Sequence, residues 1–270
     1  MTSSAADRRA RFHELHARDE LFVMPNPWDV GSAKLLSSLG FEALATTSAG
    51  FAWALGKLDG QVTRSELVGH VAELSAATDL PLNVDSERCF PDDPGGVGET
   101  VRLLAESGAA GCSIEDWNPL TGRIEELGLA VERVAEAAEA AHALADPMVL
   151  TGRAENHLHG VDDLDDTIAR LVAYRDAGAD CVYAPWLATV EQITAVVEAV
   201  GVPVNVLAVP AGPPIPELAR IGVRRVSTGS LLAAAAYGAL AAGARELLAD
   251  GTSSYTSGRM SDADKQAAFG

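Results

Sequence analysis

One unit recurs along the chain: a helix-period stretch, a glycine, then a short apolar, β-rich run. It appears as SSLGFEALATT (37–47), ESGAAGCSIED (106–116), DAGADCVYAPW (176–186), AVGVPVNVLAV (199–209) and ARIGVRRVSTG (219–229). Glycine just past a helix end takes the left-handed C′ position, and the continuous apolar run behind it reads as a strand buried on both faces. With Leu21–Pro25, Leu80–Asp85 and Pro147–Thr151, the pattern predicts eight strands, near residues 21, 42, 81, 111, 147, 180, 203 and 223. Helical patterns fall at 30–39, 63–77, 95–108, 124–144, 162–177, 188–199, 214–221 and 229–249, and Thr63 with Glu66 forms a capping box at the second of these. Eight alternating units in roughly 250 residues predict a (β/α)8 TIM-type barrel. The rival, a doubly wound open sheet, lacks support: no G-x-G-x-x-G follows the first strand and no Gly-rich P-loop occurs. No linker-like composition divides residues 1–270, so one barrel domain is expected. The amphipathic first twenty residues form an extra N-terminal helix, and residues 251–270 form a terminal arm.

Composition narrows the partners. Twenty Lys and Arg stand against 38 Asp and Glu, a formal charge of −18, with 48% hydrophobic and 21% charged residues. Such an acidic globule is poorly suited to nucleic acid or an anionic membrane surface, both of which attract clustered Lys and Arg. Cys89, Cys112 and Cys181 are too few and scattered for a disulfide framework and have no zinc-site spacing. The N-terminus lacks the apolar run of a signal peptide, and the longest apolar stretch, Leu231 to Ala244, is shorter than the roughly 20 residues of a spanning helix. A reduced cytoplasmic protein is the expectation.

In such barrels the chemistry lies at the C-terminal ends of the strands. Those positions hold Asn26, Thr47-Ser48-Ala49-Gly50, Asp85 with Glu87, Glu115-Asp116, Arg153 with Glu155, Trp186, Asn205 and Ser227-Thr228-Gly229. One solvated carboxylate in a βα loop is unremarkable; Asp85, Glu87 and Glu115 aimed at one mouth repel each other unless a cation sits among them. Asp116 reads as a structural group beneath them. Oxygen donors without a nearby His or Cys favour Mg²⁺, or Mn²⁺, over zinc. Arg153 suits a substrate carboxylate or phosphonate, or alternatively a salt bridge ordering the acidic rim. His157 and His159 fall in the loop after the fifth strand, within reach of a ligand, although a solvated loop histidine is the plainer reading. Lys34, Lys57 and Lys265 are the only lysines and none ends a strand, which excludes Schiff-base and pyridoxal phosphate chemistry. Ser227 to Ser230 opens the eighth helix, where a phosphate could bind, but ordinary capping accounts for it equally.

Six segments in order resemble the isocitrate lyase / phosphoenolpyruvate mutase superfamily, from about Leu21 to Leu240. They are Thr47-Ser48-Ala49-Gly50, Gly56-Lys57-Leu58-Asp59, Asp85-Ser86-Glu87, Gly111 through Glu115-Asp116, Gly152-Arg153-Ala154-Glu155, and Pro203-Val204-Asn205-Val206. The resemblance implies Mg²⁺ held through Asp85, Glu87 and Glu115. It further implies substrate contacts from Ser48, Ala49, Gly50, Asn118, Arg153 and Asn205, with catalytic work by Arg153, Asp59 and Glu155. It implies a small 2-oxo or 2-hydroxy carboxylate, or a phosphonate, as substrate. It also implies a homo-oligomer, commonly a tetramer, for which the Ala-rich helix at 229–249 could be exchanged between neighbours.

Two departures shape the expected function. The thiol-dependent lyases of the family carry a K-[KR]-C-G-H lid after the fourth strand; here the lid is WNPLTGRIEELG (117–128), without Cys or His. The mutases tend to have D-T-G-Y-G where this chain has SERCF, so a glutamate replaces an aspartate and two glycines are gone. The reading is therefore a Mg²⁺-dependent enzyme breaking or making a C–C bond beside a 2-oxo or 2-hydroxy acid through an enolate, without a lid cysteine. A proton would pass through water or a rim carboxylate such as Glu155 or Asp59. Cys89, just after the metal motif, is the one thiol that could approach the mouth. The alternatives are a phosphoenolpyruvate mutase-like or phosphonate P–C bond enzyme, and a catalytically decayed binding or scaffold barrel.

Overall fold

The computed structural model describes residues 3–270. In chain order its first half comprises α1 (Ala5–Ala17), β1 (Phe22–Met24), α2 (Val30–Ser38), β2 (Leu44–Ala45), α3 (Ser48–Ala54), α4 (Arg64–Ala77), β3 (Leu82–Asp85), α5 (Gly96–Glu106) and β4 (Gly111–Glu115). A two-stranded insert follows, β5 (Trp117–Asn118) and β6 (Arg123–Ile124), and then α6 (Leu127–His142), β7 (Val149–Arg153), α7 (Leu164–Asp176), β8 (Cys181–Tyr183) and α8 (Val190–Val200). The chain ends with β9 (Val204–Leu207), α9 (Ile215–Arg220), β10 (Arg225–Ser227), α10 (Leu231–Ala249), a 3₁₀ turn (Ser254–Gly258) and α11 (Asp262–Phe269).

Eight strands form one parallel sheet in the order β1-β10-β9-β8-β7-β4-β3-β2. It curls until its edges meet: the Ala45 amide donates to the Pro25 carbonyl at 3.0 Å. This is the expected (β/α)8 barrel. Its strands are short and buried on both faces, as their uninterrupted apolar runs require. Helix starts are fixed locally. Ser4, Asp29, Thr63 and Thr189 each accept an N3 amide in a capping box, including the one read at Thr63 and Glu66; such caps contribute about 1 kcal/mol each.

Helix α1 lies across the N-terminal end of the barrel. Its Phe12 and Leu15 cluster with Phe22, Ala43, Ala110 and Val149, residues at the starts of strands, and with Met24 and Ala45. Gly111 permits this approach, because a Cβ there would lie 2.6 Å from the Val149 carbonyl oxygen and 2.8 Å from the Phe12 ring. Arg9 ties the helix down by donating to the carbonyls of Ala105 and Ala109 at 2.6 and 3.0 Å.

Four elements exceed the expectation: α3, the β5–β6 hairpin, the 3₁₀ turn and α11. The arm after α10 folds back, with Tyr255 against Gly243 and α11 packed on α2. Helix α10 also runs beyond the apolar stretch at 231–244, to 19 residues, long and apolar enough by composition to cross a membrane. Its direct connection to β10, and Arg245 and Glu246 in its last turns, make it the eighth helix of the barrel repeat. Leu240 and Leu248 on it are largely exposed, at 68% and 89%.

Candidate active site

The C-terminal mouth contains a cavity of two adjoining lobes, about 190 and 340 Å³, sharing Ser48, Asp59, Arg153 and Leu158 as walls. Arg153 ends β7 and stands at its centre. Its Nη1 lies 3.2 Å from Asp85 Oδ1 and 3.3 Å from Glu115 Oε2, its Nε donates to Glu155 Oε1, and its guanidinium covers the Tyr183 ring at 5.2 Å. Burial alone would weaken its charge, but Glu155, Glu115 and Asp85 outweigh it and hold Arg153 firmly protonated.

Asp85, at the end of β3, is positioned from two sides. Its amide donates to Thr46 Oγ1 at 2.8 Å, and its Oδ2 accepts the Ser48 amide at 3.0 Å. Just beyond it the chain turns sharply, with Glu87, Cys89 and Phe90 at φ of 48°, 57° and 47°. Three non-glycine residues in the left-handed region are strained, at about 1 kcal/mol or more each, and all three lie in the SERCF segment. The turn is locked by the Glu115 amide donating to the Glu87 carbonyl at 2.9 Å and by the Ser86 hydroxyl donating to the Ser113 carbonyl at 2.6 Å. Cys89 faces inward against Ser86, fully buried like Cys112 and Cys181, so none of the three thiols reaches the cavity.

Five carboxyl groups thus crowd one guanidinium. Burial, then repulsion from Asp85 and Asp59, pushes Glu87 up to about 8. Burial raises Glu115 well above the usual range despite Arg153, and burial with Asp85 nearby raises Asp59. Glu155 goes the other way. It is fully buried, yet Arg153 and His159 hold it as a carboxylate. This surplus of hard oxygen donors suits a divalent cation, which would relieve the repulsion. Among the described residues no three Asp, Glu, His or Cys groups make a ready-formed cage. A cation carried by Asp85, Glu87 and Glu115 would therefore keep water ligands, as Mg²⁺ prefers.

Other expected residues divide into those at the cavity and those beside it. Ser48, Ala49, Asp59 and Asn205 line it. Asn205 lies on the floor, accepting from Arg225 Nε and donating to Ser227 Oγ, both at 2.9 Å. Gly50 lies behind the wall, where a Cβ would meet Thr47, Trp28 and Ala233 within 3.2 Å. Asn118 is engaged in the hairpin turn, its Oδ1 accepting the Leu120 and Thr121 amides and its Nδ2 donating to Glu125. Glu155 sits below the rim rather than on it. Asp116 is structural as read, accepting the Glu155 amide at 2.9 Å and the Tyr174 hydroxyl at 2.5 Å. The amides of Thr228 and Gly229, just ahead of α10, both donate to Asn26 Oδ1 at 2.8 and 2.9 Å, while the helix itself starts at its N-cap Ser230 without a side-chain cap.

The hairpin covers one side of the mouth. Glu125 below it is buried between Arg88, at 2.9 Å, and Arg133, and its amide donates to the Asp116 carbonyl at 2.7 Å. It is a structural anchor and not a free acid on the lid. Trp117 faces the cavity, with His159 stacked flat on it at 3.4 Å between ring centroids. Of the two histidines that the sequence puts in this loop, within reach of a ligand or plainly solvated, His159 is the one at the cavity; its position four residues after Glu155 returns its ring to that carboxylate. His157 is packed away, its Nδ1 3.4 Å from Asp162.

Comparison with known proteins agrees with this architecture. A family model described as phosphoenolpyruvate phosphomutase matches residues 12–248. A crystal structure of a Burkholderia cenocepacia J2315 protein, provisionally assigned as a lyase/mutase, superposes with a TM-score of 0.92 at 49% identity, covering 97% of this chain and 95% of that one. Oxaloacetate decarboxylase of Paraburkholderia xenovorans LB400 is 32% identical over 236 residues, 83% of this chain and 75% of its own length. The structure of oxaloacetate acetylhydrolase with its product oxalate gives a TM-score of 0.84 at 26% identity, covering 98% and 94%. The chain belongs to the phosphoenolpyruvate phosphomutase family, within the isocitrate lyase / phosphoenolpyruvate mutase superfamily of lyases and mutases.

Proposed function

We propose that this protein is a Mg²⁺- or Mn²⁺-dependent carbon–carbon lyase of the cytoplasm, acting on a small 2-oxo dicarboxylate, with decarboxylation of oxaloacetate as the favoured reaction. The observation that carries the reading is a mouth with one clamping guanidinium, crowded carboxylates and no accessible thiol. Cleaving a 2-hydroxy acid needs a base for the hydroxyl and an acid for the departing carbanion, which the thiol lyases place on their lid. Decarboxylation needs less: the C3–C4 pair moves into an enolate as carbon dioxide leaves, and one proton later returns to C3. The 32% identity to an oxaloacetate decarboxylase supports the same choice.

Within that reaction Arg153 holds the substrate carboxylate, flanked by the Ser48 hydroxyl and the Asn205 amide on the floor. Asp85, Glu87 and Glu115 would hold the cation, which when bound draws off negative charge developing on the 2-oxo oxygen. Trp117 and Leu158 narrow the entrance and keep water from the enolate. The exposed apolar residues of α10 support a homo-oligomer, in keeping with the family resemblance.

The test is a screen of purified protein with Mg²⁺ or Mn²⁺ against oxaloacetate, 2-methylisocitrate, alkylmalates, phosphonopyruvate and phosphonoacetaldehyde, reading pyruvate, glyoxylate and phosphate. Pyruvate from oxaloacetate, well above the metal-only background, is expected. Chelator and Asp85→Ala should both abolish it, with the far-ultraviolet circular dichroism unchanged. Full activity in chelator would remove the cation from the account, and phosphate release alone would establish a P–C bond enzyme instead.

A further inference from the structure

An enolate in this chamber must receive a proton on carbon, and most candidate donors are disqualified by geometry. The thiols are sealed in the core, Glu125 is locked between two arginines, and Glu155 is an ion-paired carboxylate with no proton to give. His159 is differently placed. It walls the larger lobe of the cavity together with Arg153 and Glu115, and its side chain is one-quarter exposed. Its ring lies parallel to the Trp117 indole within 5°. Its Nε2 is 3.5 Å from Glu155 Oε2. Glu155 is itself held by Arg153 Nε, and its amide is anchored on Asp116. A carboxylate beside Nε2 fixes the orientation of the ring and leaves the other nitrogen, Nδ1, to meet a ligand in the chamber.

We propose that His159 is the proton donor to the enolate carbon, with Glu155 holding its imidazole and Trp117 fixing its plane. The inference rests on the lyase reading above. After carbon dioxide has left, the enolate π pair takes the proton from Nδ1. A C3–H bond forms, the Nδ1–H bond breaks, the enolate oxygen becomes the carbonyl oxygen, and the neutral ring recovers a proton from water. Because Trp117 belongs to the hairpin and His159 to the loop after β7, the donor is in position only when both sides of the mouth are in place. It fills the role that the thiol lyases give to their lid, from the opposite loop.

Stereochemistry tests this directly, since a merely structural residue would not set the face of protonation. Oxaloacetate methylated at C3 is decarboxylated in deuterium oxide, and the 2-oxobutanoate is trapped at once by a stereospecific dehydrogenase with NADH. Proton magnetic resonance then reads the configuration at C3 against the fixed C2. Wild-type protein should give one diastereomer. His159→Gln should give both equally, with kcat at least tenfold lower and partly restored by imidazole in solution. A single diastereomer at undiminished rate from His159→Gln would overturn the inference while leaving the lyase reading intact, as would randomisation by Asp59→Asn in its place. No turnover of oxaloacetate or its methyl derivative by the wild type would overturn the lyase reading and this inference with it.

Discussion

Among the described residues Arg225 is the largest fully buried side chain, and none of its hydrogen-bond partners there is a carboxylate. Its Nη2 donates to Thr151 Oγ1 at 2.9 Å, its Nε to Asn205 Oδ1, and its Nη1 faces His16 Nε2 at 3.1 Å. The last contact settles the tautomer of His16. Its Nδ1 donates to the Phe12 carbonyl at 2.7 Å, so Nε2 carries no proton and accepts from the guanidinium. Burial, reinforced by Arg225, pushes His16 down to about 3. In the unfolded chain the ring takes a proton below about 6.5, whereas in the folded protein it does so only near 3. The contribution of neutral His16 is therefore complete above about pH 6.5 and is lost as pH falls towards 3, by up to about 1.4 kcal/mol per unit. His16→Gln keeps an acceptor for Arg225 and should flatten the decline. Urea midpoints of both proteins between pH 7.5 and 4.5 measure the difference; parallel curves would refute it.

Among the elements, the β5–β6 hairpin has strands of only two residues each and depends on what lies beneath it. Glu125 bridges Arg88 and Arg133, with Glu125 and Arg88 both less than one-tenth exposed. Glu125→Ala would leave the buried Arg88 with only Asp92, at 3.5 Å, and the partly buried Arg133 without this carboxylate, and should lower stability by about 3 kcal/mol. Because the same residue supports Asn118 and hence Trp117, KM should rise as well; thermal unfolding and steady-state kinetics check the two effects separately. Such an element could not be read from the chain. Its strands are two residues each, too short for any period, and their pairing depends on the buried charges below. Helix α3 was hidden for another reason: Ser48 to Ala54 opens with small residues, and the helix is set by the Thr47 cap and by Gly50 packed tightly against its neighbours. The barrel strands, in contrast, were legible because burial on both faces writes itself as an unbroken apolar run. Asp85, Glu115 and Arg153 were legible because each ends such a run. His159 was legible only as one of two loop histidines within reach of a ligand, since what its ring lies against, Trp117 and Glu155, is fixed by the fold.

At the scale of the whole molecule, the barrel places all its polar strand ends at one face and closes the other with α1. Phe12, Leu15 and His16 fill the end that the strands leave open. The cavity is consequently reached from that one face, past Trp117 and Leu158 in its wall. Traffic of the proposed substrate and product through this doorway would be sequential. In the proposed decarboxylation a departing 2-oxo acid would block the next dicarboxylate until it had cleared the hairpin, whereas carbon dioxide, small and uncharged, would slip past first. For the proposed reaction the plug beneath the floor would thus impose an order on events at the mouth, and product release through the doorway would help set the pace of turnover.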